Sequence, residues 1–119
     1  MGGERVLILA SKTAPGAKNP PKPVLRLAHA LTHGNIWLAS LSLMQKGNVY
    51  AYALPGEIER RFGYEPSKLM VYFVLYKLED EQLISAKFQG RRKYYELTAK
   101  GRKALASGKS LLSSLSKRL

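Results

Sequence analysis

Three consecutive cations, Arg91, Arg92 and Lys93, follow Gly90 in a stretch that holds almost no acid. At the end of a hairpin such a cluster sets charged donors where a phosphate backbone can pass. An arginine entering a narrow minor groove is the sharper form of this reading, and charge kept for solubility is the plainer one. A second group lies upstream, where Ser67 and Lys68 open a helix-like segment continuing through Met70, Val71 and Tyr72, just after Tyr64. This segment holds no arginine for the bidentate guanine contact that is the commonest base-specific one. Ser67 and Lys68 therefore read as residues that position phosphates. Tyr64, Met70 and Tyr72 read as contacts to thymine methyls or sugars, with a place in the core equally open to Tyr72.

Other reactive side chains do not assemble. His29 and His33 stand four apart and can share a helix face, but two imidazoles with no Asp, Glu or Cys beside them make a poor metal site. Tyr94 and Tyr95 alternate in a strand, so one faces the core and the other the surface; a two-stranded hairpin is small for a base-stacking platform. Trp37 reads as a core or dimer-interface residue. No nucleophile with its base, no phosphate-cradling glycine loop and no paired carboxylates in an apolar setting are visible, so neither enzymatic activity nor a cofactor is expected.

The elements that must position these residues follow from the spacing. Residues 11–23 carry four prolines and three lysines and read as an extended basic linker, preceded by a short strand-like run over 6–10. Helices are expected over 24–32, over 36–44 on the Trp37, Leu41, Met44 spacing, and over 50–62 on Leu54, Ile58 and Phe62. In the last of these, Pro55-Gly56 implies a start at Pro55 or a distorted first turn. A further helix opens at Glu65-Pro66-Ser67, with Ser67 its N-cap candidate and Met70/Val71, Val74/Leu75 and Leu78 in register. The period then changes from 3.6 to 2, giving strands over 84–88 and 93–97 around a tip at Gln89-Gly90-Arg91-Arg92. Thr98 caps a final helix reaching Arg118, roughly 31 Å long if continuous, which Gly101 and Gly108 each weaken by about 1 kcal/mol.

The fold class that results is mainly α with a small antiparallel β-hairpin: a winged helix-turn-helix followed by a long C-terminal helix. The expected organisation is a basic Pro-rich tail (1–23), a winged DNA-binding domain (24–97) and a dimerisation helix (98–119). Leu105, Leu112 and Leu119 recur every seven residues with Leu111 and Leu115 alongside. This stripe, with Trp37, is the expected dimer interface; folding back onto its own domain and lying on a membrane surface are the alternatives.

Certain segments resemble the PadR family of winged-helix transcriptional regulators. They are Val49-Tyr50-Ala51-Tyr52 with Glu57-Ile58, residues 71–84 (VYFVLYKLEDEQLI), and residues 90–101 (GRRKYYELTAKG), the last matching the family's wing and following helix almost residue for residue. The resemblance covers about residues 34–105. It implies a homodimeric, repressor-like DNA-binding protein whose helix after the wing pairs subunits, and a response to a small aromatic or drug-like effector, as in many members. Gln82 stands where the family usually has glycine, which implies a differently shaped turn, and Pro55-Gly56 replaces ordinary helix formers.

Composition agrees with this class. The chain has 119 residues, 20 Lys+Arg against 8 Asp+Glu, and a net charge of +12. Residues 85–119 alone hold ten bases and one acid, while residues 64–84 hold two bases and four acids. Such a field attracts polyanions, nucleic acid first and an anionic membrane second. One domain is expected at this length. The absence of cysteine excludes disulfides, thiol catalysis and thiolate-held zinc. No apolar run approaches the ~18 residues of a membrane span, so a cytoplasmic protein, nucleoid-associated when on DNA, is expected. Two rivals stand beside a sequence-specific regulator: a non-specific chromatin-type architectural protein, and a winged helix used for protein–protein contact.

Overall fold

A computed structural model describes residues 20–119; the strand-like run over 6–10 and most of the basic tail lie outside the described residues. Helix α1 (Lys22–Leu31) starts two residues before the expected position, because Pro23 sits in its first turn, where a missing amide and a fixed φ cost nothing. Thr32 ends it, its Oγ1 donating to the Ala28 carbonyl at 2.7 Å. A 3₁₀ turn over His33–Asn35 leads into α2 (Ile36–Leu43). The buried Ser40 hydroxyl of α2 donates to the Ile36 carbonyl at 2.9 Å and so carries no desolvation penalty.

The helix expected over 50–62 is shorter. Val49–Tyr50 form strand β1, Ala51–Ala53 make a 3₁₀ turn, and α3 runs over Leu54–Phe62 with Pro55 in its first turn. A β-branched and an aromatic residue fit a pleated strand better than a helix start, and a partner strand is at hand. Gly63 at φ 75° closes α3 in the left-handed conformation that suits glycine. Helix α4 (Lys68–Asp80) begins as expected, with the Met70 amide donating to the Ser67 Oγ at 3.3 Å.

After α4, Gln82 adopts φ 62°. The turn is left-handed at a residue other than glycine, at a cost of about 1 kcal/mol, and is held by the Gln82 amide on Glu79 O and the Leu83 amide on Leu78 O, both at 2.9 Å. Strands β2 (Ile84–Gln89) and β3 (Arg92–Leu97) pair antiparallel from Ile84↔Leu97 to Gln89↔Arg92, leaving Gly90 and Arg91 as the tip. β1 adds to the other edge of β3 through Val49↔Tyr95 and Tyr50↔Tyr94, so the hairpin becomes a three-stranded sheet of order β1-β3-β2.

Helix α5 (Ala99–Arg118) is continuous, with the Gly101 amide donating to the Thr98 Oγ1 at 3.0 Å. Its glycines have reasons beyond propensity. A Cβ on Gly101 would stand 2.0 Å from the Leu83 carbonyl oxygen, and one on Gly108 would stand 2.9 Å from the Trp37 ring. Glycine lets α5 lie directly on the start of the wing and on α2. The core between these elements is built from Leu41, Met44, Leu54, Ile58, Val71, Leu75, Leu78, Ile84 and Tyr95.

Two expected site residues belong to this core instead. Tyr64 is 1% exposed, its ring edge-on to His33 at 4.9 Å, so it offers nothing to a duplex. Leu105 is 4% exposed and packs within its own subunit, so it is no part of a free stripe. Trp37 lies on α2 against Gly108 of α5 in the same chain, partly buried, its Nε1 donating to Asn35 Oδ1 at 3.0 Å.

Candidate nucleic-acid interface

Helix α4 presents two faces. Val71, Leu75 and Leu78 turn inward, while Lys68, Leu69, Met70, Tyr72, Phe73, Tyr76 and Lys77 are exposed. The Gly63 turn joins α3 to α4, so α4 is the second helix of a helix-turn-helix, the one that enters a major groove in proteins of this build. Ser67 and Lys68 stand exposed at its N-terminal end.

The wing approaches the same helix. Tyr95 is buried in β3, and its phenol donates to Glu79 Oε1 on α4 at 3.2 Å. Lys93, on the same face of β3, lies 3.7 Å from Glu79 and 5.0 Å from the Tyr95 ring centre. Acceptors on Tyr95, and after them Glu79, hold the Lys93 ammonium above its ordinary value despite some desolvation. Tyr72 and Tyr76 of α4 line a hollow of about 290 Å³ together with Lys93, Tyr95 and Ala51. Wing and α4 therefore share a flank, with Lys93 at the joint between them.

The tip cations divide accordingly. Arg91 is exposed at the turn. Arg92 faces the opposite side of the sheet, where its guanidinium stands 5.2 Å from the Tyr50 ring centre. Tyr50 in turn lies 5.5 Å from Tyr94 and 6.2 Å from Tyr52. Lys93 is committed to Glu79. Of the expected contact residues, the structure brings Tyr72 and Lys93 together, places Arg92 at the outer end of the same strand with Arg91 in the turn beside it, and sets Ser67 and Lys68 roughly 18 Å along α4 from Glu79. Leu69, Phe73 and Tyr76 are also surface residues; their 4- and 3-residue spacing signals a second helix face but is lost in an almost continuous apolar run.

Beyond Gly108, every residue of α5 is exposed, including Leu111, Leu112, Leu115 and Leu119. Leu112, Leu115 and Leu119 continue the helix face that Leu105 and Gly108 press onto the domain, at heptad-like spacing. Among the described residues no group of three or more His, Cys, Asp or Glu could hold a metal ion, and no helix is long and apolar enough to cross a membrane.

The model of the transcriptional regulator PadR-like family matches residues 41–107, more than half of the chain. The chain belongs to this family. The match starts inside α2 and ends inside α5, so it takes in the whole PadR-like helix-turn-helix and wing but leaves out α1 and the distal α5. Solved structures agree on the fold. A PadR family regulator from Eggerthella lenta is 23% identical, with a TM-score of 0.68 over 80% of this chain and 87% of that one. One from Clostridium difficile is 24% identical, with a TM-score of 0.65 over 71% and 93%. Bacillus subtilis PadR, solved in complex with operator DNA, is 28% identical, with a TM-score of 0.54 over 60% of this chain and 44% of that one. The PadR-like chain described here thus matches less than half of the Bacillus protein's length. Comparison with curated protein sequences gives no match.

Proposed function

We propose that this PadR-like chain binds double-stranded DNA as a homodimer and represses transcription from specific sites. The observation that carries the reading is the shared flank: the Lys93–Glu79–Tyr95 contact seats the wing beside an exposed α4, so tip and helix can grip one duplex together. The likeness to Bacillus subtilis PadR, solved on its operator, supports the duplex as partner. The exposed Leu112, Leu115 and Leu119 support a second copy as the partner of α5. With a two-fold axis between the copies, the two α4 helices would enter major grooves about 34 Å apart.

Selection of bound duplexes from a random pool tests the whole reading. A palindromic consensus with half-sites one helical turn apart is expected; an unenriched pool would mean architectural binding. Repression is read from a reporter placed downstream of the recovered site. Sedimentation of a chain truncated after Ala106 should give the mass of one truncated chain, and the mass of two truncated chains would remove the α5 dimer.

A small aromatic effector completes the proposal. The hollow between α2, α4 and α5, about 370 Å³, is lined by Trp37, Val74, Leu78, Leu83 and Ala104, with Lys77 and Glu81 among its lining residues. Trp37 is the single tryptophan of the chain, so occupancy should change its emission.

The apolar exposed face of α4 favours a second reading, a winged helix that docks on another protein. Neutralising Arg91, Arg92 and Lys93 together separates the two: loss of duplex affinity supports DNA binding, and no change supports protein contact.

A further inference from the structure

The outward face of α4 holds an unusual inventory for a helix that enters a groove. Leu69 is 78% exposed, Tyr76 71%, Met70 47%, Phe73 46% and Tyr72 39%. The helix contains no Arg, Asn, Gln, Ser or Thr between Lys68 and Asp80. Its remaining charges are mostly engaged or peripheral. Glu79 accepts from Tyr95 and faces Lys93. Lys77 folds back to 5.1 Å from the Phe73 ring centre, and Asp80 ends the helix. Lys68, in the first turn, is the one cation of α4 with no such contact among the described residues.

Direct readout in the major groove relies on bidentate pairs, Arg or Lys on guanine and Asn or Gln on adenine. Apart from Lys68 at one end and Lys77, which lies over the Phe73 ring, this helix lacks them. What its middle can recognise is the one apolar group that the major groove offers, the C5-methyl of thymine. Polar base edges facing Leu69, Met70 and Phe73 stay unpaired in every sequence, so they do not separate one base pair from another. The methyl does separate them.

We propose that α4 reads thymine methyl groups through Leu69, Met70, Tyr72, Phe73 and Tyr76, so that the chain prefers thymine-rich steps and discriminates by apolar contact in place of hydrogen bonding. The inference rests on the duplex-binding reading above and names the DNA class that this same site takes.

The test changes the DNA and leaves the protein whole. Affinity is measured at one salt concentration for a thymine-rich duplex, for the same duplex with uracil replacing thymine, and for a G·C-rich duplex with and without 5-methylcytosine. Uracil keeps every hydrogen-bonding edge of thymine and lacks only the methyl. Each contacted methyl is about one buried carbon, so its removal should weaken binding about fourfold; two contacted methyls make about fifteenfold. Methylating cytosine should recover part of that difference on G·C-rich DNA.

Leu69→Ala and Phe73→Ala, both at exposed positions, should shrink the uracil penalty, with circular dichroism melts confirming that each variant is folded. Equal affinity for the thymine and uracil duplexes, with binding intact, overturns this inference and leaves the duplex-binding reading standing. No measurable binding to any duplex overturns both.

Discussion

Removing tip cations one at a time from the wing should reveal that only two of them face phosphate. If Arg91 and Arg92 each neutralise one phosphate, each alanine substitution lowers the slope of log affinity against log salt by about 0.9. The double variant Arg91→Ala/Arg92→Ala then loses about 1.8 from the slope. Over a threefold rise in salt the parent should weaken about sevenfold more than the double variant. Lys93→Ala should leave the slope nearly unchanged, because the Lys93 ammonium is matched by Glu79 at 3.7 Å and does not displace counterions from DNA. Its cost should appear instead as a looser joint between wing and α4, read as a modest salt-independent loss of affinity. Fluorescence anisotropy of a labelled duplex across a salt series supplies all five slopes. A Lys93→Ala slope reduced as much as that of Arg91→Ala, or a double variant with the parental slope, would refute this division of the tip.

Three further outcomes are expected. Alanine gains about 1 kcal/mol over glycine in a helix interior, yet Gly101→Ala should lose about 3 kcal/mol in urea melts, since its Cβ would meet the Leu83 carbonyl at 2.0 Å. Gly56→Ala, with nothing within 4 Å, should be neutral or gain up to about 1 kcal/mol; equal effects at the two sites would contradict the close approach of α5 to Leu83. Ser67→Ala should cost about 1 kcal/mol through loss of its hydrogen bond from the Met70 amide, and an unchanged melting midpoint would contradict the cap. Stability should also fall as pH drops below 6.5. Burial, and after it the neighbouring His29 ring, holds the His33 imidazole below the ordinary histidine value of 6.5. The unfolded chain therefore takes up a proton at a higher pH than the folded one, and that uptake favours unfolding. His33→Gln should flatten this fall in a pH series of thermal melts, and an unaltered slope would contradict it.

Much of the fold was legible because its signals are local. Ser67 and Thr98 cap helices that begin immediately after them, and Val71, Leu75 and Leu78 mark one helix face. The alternation through Tyr94 and Tyr95 with Gly90 at the tip marks a hairpin. What escaped depends on distant partners. β1 is two residues long and exists because β3, some 45 residues later, accepts it. Tyr64 sits between two helices with no periodicity to assign it a side, and the domain closes over it. Leu105 and Leu112 share one heptad spacing, yet the domain covers the first and leaves the second exposed. Arg91, Arg92 and Lys93 read as one cluster in the chain, and the pleat of β3 separates them by turning Lys93 toward Glu79.

Tethered cleavage tests most directly whether wing and α4 grip one duplex from a single flank. The chain has no cysteine, so single cysteines at Gln89→Cys beside the tip and Leu69→Cys on α4 can each carry an iron chelate that cuts nearby DNA. Cuts from the two positions should fall on one face of the same half-site, in adjacent grooves about 5 bp apart, half of the ~10 bp helical turn. Cuts from one position alone, or from both on opposite faces of the duplex, would contradict the shared flank and the proposed function with it.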